Sequence, residues 1–100
     1  MILIELQSKL IAAQKAKDEL RLSVLRYLLA GIKNKEIELR PLKQELTDEV
    51  ILAVLKKQIK KHGEAIEDFK RANRQDLIDN ESAQLEVLNQ LQNEFAPQQA

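Results

Sequence analysis

Apolar residues recur along this chain at steps of three and four, the period of an α-helix rather than that of a strand. Leu3, Leu6, Leu10 and Ala13 predict a short amphipathic helix over residues 3–14. Asp18 is placed to cap a second helix over 18–39. In that segment Leu20, Leu22, Val24, Leu25, Tyr27, Leu28, Leu29 and Ile32 cover most of the circumference, which marks the central helix of a bundle. Its last turns, Lys33 to Arg40, are charged and should project past the core, and Pro41 should end it.

Thr47, followed by Asp48 and Glu49, starts a third helix over 48–71. Ile51, Leu55, Ile59, His62, Ile66 and Phe69 form one stripe along it, over roughly 36 Å at ~1.5 Å per residue. Gly63 lies inside that helix as a weak point or a close-contact site, with a break there as the alternative. Asn73 suits the left-handed conformation of the next turn. Ile78, Glu81, Leu85, Leu88, Leu91 and Phe95 stripe a fourth helix over 75–93. The expectation is all-α: a four-helix antiparallel bundle with a long third helix, one domain over 1–95, and a disordered tail over 96–100.

Composition narrows this without redirecting it. Aromatics are 3% of 100 residues, so the core must be aliphatic. Sixteen basic and sixteen acidic residues cancel, so no global field draws in a polyanion. No cysteine is present, which removes disulfides and thiolate metal sites and suits a cytoplasmic location. No apolar run approaches the ~20 residues of a membrane span, so no membrane partner is expected.

The charge pattern carries more than its sum. Lys56, Lys57, Lys60 and Lys61 share the side of the third helix opposite its apolar stripe, as a row for phosphates would require. The alternative is a solvated face, because Glu64, Glu67 and Asp68 continue it. Lys33, Lys35 and Arg40 make a second basic group that need not join the first. No aromatic lies within either cluster, so base stacking is not expected. Every charged residue after Arg74 is acidic.

His62 reads as a packed or rim residue, since no second histidine exists to share a metal and no polar pocket is marked around it. Glu81 occupies a core step of the fourth helix and needs a partner there, with Arg21 or Arg26 of the second helix expected. A rim position with Glu81 turned to solvent is the alternative. There is no glycine-rich phosphate loop and no plausibly placed Ser/His/Asp set, so neither catalysis nor a cofactor is expected.

The segments KDELRLSVLRYLLAGIKNKEIELR, LTDEV and KKQIKKHGEAIEDFKRANRQDL resemble the GatB/YqeY family over roughly residues 15–90. Lys17-Asp18, Arg21, Leu25-Arg26, the run from Ile32 to Ile37, Glu64, Arg74, Asp76-Leu77 and Glu81 carry the likeness. The resemblance implies a non-catalytic helical domain like the C-terminal region of the tRNA amidotransferase B subunit. That region helps hold tRNA while the carbon–nitrogen ligase chemistry lies elsewhere in the enzyme. Typical members continue into a second small helical domain, which this chain is expected to lack. The expected function is an accessory module for tRNA or a tRNA-processing enzyme, through Lys56, Lys57, Lys60 and Lys61 with Lys33 and Lys35. The alternative is a protein–protein or self-association module, docking through Ile66, Phe69 and an uncovered Leu91–Phe95 end.

Overall fold

The computed structural model describes residues 1–95 and has four α-helices: α1 (Ile2–Lys15), α2 (Glu19–Leu39), α3 (Asp48–Arg71) and α4 (Gln75–Phe95). The all-α bundle expected from spacing is present, and no strand occurs among the described residues. At 24 residues α3 exceeds α2 and α4, at 21 each, too narrowly for its length to set it apart. The expected tail over 96–100 lies outside the described residues.

The helix ends follow local chemistry. The Asp18 side chain accepts from the Arg21 amide at 3.1 Å, and Thr47 Oγ1 from the Val50 amide at 3.2 Å, each satisfying a free donor of a first turn. Lys17, Lys43 and Asn73 hold positive φ in the three connections, where the chain must reverse within a few residues. α2 ends at Leu39, just before Pro41 as expected, but not by an extended residue 40. Arg40 before it keeps helical torsions (φ −56°, ψ −50°), and the chain tightens into a 3₁₀ turn before leaving at Lys43.

Core positions divide the molecule in two. Leu6, Leu28, Ile32, Ile51, Leu55 and Leu88 are almost wholly buried, and α2 runs through the middle of this inner half. Asp48 Oδ1 accepts from the Ile2 amide at 3.2 Å, tying the start of α1 to the start of α3. The buried positions of α3 stop at Gln58 and those of α4 resume at Val87. Between them the α3–α4 hairpin has only half-buried apolar residues, Ile66, Phe69, Leu77 and Ile78 among them. Leu91 is 3% exposed, so the expected uncovered end of α4 is corrected: α1 and α2 cover it.

Gly63 lies within one unbroken helix, as expected, and the close contact falls at Gly31 instead. α3 runs unbroken through Gly63, and a Cβ there would meet nothing within 4 Å. At Gly31 a Cβ would stand 2.6 Å from Gln58 Nε2 and 3.4 Å from Val54 Cγ1. The close contact is therefore between α2 and α3 at Gly31. Replacing Gly63 with alanine should raise unfolding free energy by about 1 kcal/mol, the usual helix-interior difference. Gly31→Ala should lose that gain, because the new methyl displaces the Gln58 amide. Urea denaturation of both variants checks this; equal stabilisation by the two would refute the close approach.

In the α3–α4 turn, Arg74 grips Asp76 through two bonds, Nε at 3.2 Å and Nη2 at 3.1 Å. The hydrogen bond from Arg74, ahead of its charge, holds the Asp76 carboxyl below the usual aspartate value. A depressed folded value means its stabilisation is present above the unfolded value and is lost as pH falls through the folded one. NMR titration should place the Asp76 midpoint below that of a free aspartate, and Arg74→Gln should return it upward.

Candidate nucleic-acid interface

All four lysines of the α3 row are exposed, as their spacing required. The structure separates them by what lies beside them. Lys57 and Lys61, one turn apart, line a groove of about 450 Å³ between α2 and α3. Across it α2 contributes Tyr27, Asn34 and Lys35. Lys56 and Lys60 are not among the residues lining this groove. The two basic groups thus meet at Lys35, Lys57 and Lys61. Lys33 instead hydrogen-bonds Glu36 at 3.2 Å, and that bond holds the Glu36 carboxyl below its ordinary value, with Arg40 assisting. Lys35 lies 3.8 Å from Glu38 on the groove wall, an ion pair mostly open to solvent.

Tyr27 corrects the expectation that no aromatic accompanies the lysines. It is 59% exposed and borders the groove with Lys57 and Lys61. The hydrophobic pattern of α2 assigned it to the core, because that helix is apolar almost all round. A ring beside paired lysines is the minimal combination for a backbone grip with a stacking platform.

Beyond Tyr27 the groove continues into a cleft of about 320 Å³ that reaches α4. Ser23, Tyr27, Gln58, His62, Glu81 and Gln84 are among its walls. Here His62 Nδ1 pairs with Glu81 Oε2, at 15% and 21% side-chain exposure. The expected pairing of Glu81 with Arg21 or Arg26 is therefore corrected. Arg21 donates to Gln90 at 2.9 Å and lies 3.4 Å from Asp18, while Arg26 is exposed. Gln90 is nine residues beyond Glu81 on α4, about 13 Å along the axis at ~1.5 Å per residue. The antiparallel α3–α4 hairpin instead sets His62 opposite Glu81. Two neighbouring stripes each carried one polar step, and that coincidence was the available signal.

Polar groups do converge around His62, contrary to the sequence reading. They do not make a proton relay: Ser23 shares the cleft, yet its hydroxyl makes no hydrogen bond to His62. Among the described residues no group of three or more His, Asp or Glu is placed to hold a metal ion. No described helix is long and apolar enough to cross a membrane.

The His62–Glu81 pair is mostly withdrawn from water, so removing one member strands the other. His62→Ala and Glu81→Ala should each cost about 1–2 kcal/mol of unfolding free energy. The double variant should cost clearly less than the sum. Chemical denaturation around this cycle checks the coupling, and simple additivity would mean the pair contributes nothing.

Residues 4–100 match the family described as Yqey-like protein. A protein of Pyrenophora tritici-repentis named altered inheritance of mitochondria protein 41, mitochondrial, is 35% identical over 88% of this chain and 47% of its own length. Its namesake in Lachancea thermotolerans is 36% identical over 83% of this chain and 43% of its own length. An uncharacterized protein of Schizosaccharomyces pombe is 35% identical over 95% of this chain and 72% of its own length. The chain thus spans less than half the length of the two mitochondrial relatives. Their names overturn the cytoplasmic location expected from composition: freedom from cysteine does not distinguish the two compartments. With the match running from Ile4 to the last residue, across all four helices, the chain belongs to the YqeY-like family.

Proposed function

We propose that this domain is a non-catalytic RNA-binding module that holds tRNA in the groove between α2 and α3. The observation that carries the reading is the convergence of Lys35, Lys57 and Lys61 with the exposed ring of Tyr27 on one groove. Neutralising phosphates with lysines releases counterions and supplies affinity without sequence preference. The ring adds stacking on an unpaired base, the usual way in which proteins engage single-stranded segments of folded RNA. tRNA is the RNA class suggested by the resemblance to the amidotransferase B subunit. Following the relatives' names, we set that role in mitochondria.

Charge layout supports a local rather than an enveloping contact. The chain is neutral overall, and α4 carries Asp76, Asp79, Glu81, Glu86 and Glu94 with no basic residue. RNA approaching α4 is repelled, so the binding face is confined to the α2–α3 side. Lys56 and Lys60, outside the groove, then serve as general attraction rather than as fixed contacts.

A salt titration of tRNA binding separates these roles. The logarithm of the affinity should fall linearly with the logarithm of salt concentration, and Lys57→Ala with Lys61→Ala should reduce the slope by about 1.5 units. Lys56→Ala with Lys60→Ala should reduce it less. Tyr27→Ala should weaken binding about fivefold or more with the slope unchanged. Absence of tRNA binding at low salt, or equal slopes for the two lysine doubles, would reject the assignment.

A further inference from the structure

The groove between α2 and α3 has two unlike ends. Gln58 of α3 meets the Tyr27 carbonyl, and both Gln58 and Val54 lie against Gly31, so the two helices run antiparallel here. Following α2 from Tyr27 to Glu38 therefore retraces α3 from Lys61 back to Val50. Tyr27 and Lys61 stand at the first end, with Lys57 one turn in. Glu38 is the one carboxylate among the residues lining the groove, and it stands at the other end. It is eleven residues from Tyr27, about 16 Å along α2 at ~1.5 Å per residue. Lys35 lies 3.8 Å from that carboxylate, with side chains 40% and 69% exposed. A pair so open to water contributes little to folding, and it would support α2 equally on any outward face. On this wall it also cancels one of the three lysines of the groove, so the far end offers a phosphate no net attraction.

Resting on the RNA reading above, we propose that Glu38 determines which part of the groove takes phosphate. It occupies Lys35 and repels an approaching strand, and the phosphates settle at Lys57 and Lys61, toward the end that holds Tyr27. Placing like charges against one another is a general means of excluding an unwanted binding mode. A strand lying along the whole groove would carry a phosphate past the carboxylate. The segment favoured is therefore a short unpaired stretch held at the Tyr27 end.

Salt titration of tRNA binding tests this with single charge changes. Glu38→Gln frees Lys35 and should tighten binding about threefold, the size of one exposed charge contact. The slope of the logarithm of affinity against that of salt should steepen by about 0.7, one added phosphate of an unpaired strand. Lys35→Ala alone should move the wild-type slope by less than about 0.3, yet added to Glu38→Gln it should abolish the gain. Glu86→Gln makes the same charge change on α4, outside the groove, and should steepen the slope less than half as much. Neither Lys35 nor Glu38 is buried, so the variants are expected to fold, and circular dichroism verifies that. The assignment is overturned, with the RNA module left standing, by an unchanged slope in Glu38→Gln, by a loss from Lys35→Ala as large as that from Lys57→Ala, or by an equal gain from Glu86→Gln. Absence of salt-dependent tRNA binding in the wild type overturns both.

Discussion

α2 and α3 approach closely at Gly31, where an added Cβ would stand 2.6 Å from Gln58 Nε2. With no Cβ on α2, the amide of Gln58 fits against the helix backbone and reaches the Tyr27 carbonyl. Lys57, Lys61 and Tyr27 line one groove beside this contact. A larger residue at position 31 would part the helices at the point where the groove and the cleft join.

Burial is uneven along the bundle, and the unevenness has a geometric origin. Four helices surround a shared interior only where α1 and α2 lie against the α3–α4 hairpin. Beyond Gln58 and before Val87 the hairpin is a two-helix layer, which cannot enclose large aliphatic side chains on its own. Ile66, Phe69 and Ile78 are consequently only half-buried. The His62–Glu81 pair stands at the border between the two regimes, where partial access to water makes a paired polar step tolerable.

Charge and shape act together on the functional side. A neutral chain attracts a polyanion only through local asymmetry, and here the acidic α4 and the lysine-bearing α3 lie side by side. On the RNA reading proposed above, the acidic residues of α4 would confine the approach to the α2–α3 groove.

The sequence by itself determined the helices, their caps and their solvent faces, because these depend on interactions within a few residues of one another. Asp18 and Thr47 marked starts, Asn73 marked a turn, and the lysine row of α3 was outward by its angle alone. Tertiary structure alone decided which outward lysines border the α2–α3 groove, that Tyr27 is a surface residue, and that Glu81 meets His62 rather than Arg21 or Arg26. Those outcomes depend on the register between helices, and register arises from close contacts such as that at Gly31, which periodicity along one helix does not encode. A glycine in a helical pattern announces the same loss of propensity wherever it stands. Only the neighbouring helix distinguishes Gly31, where the absent methyl is needed, from Gly63, where it is not.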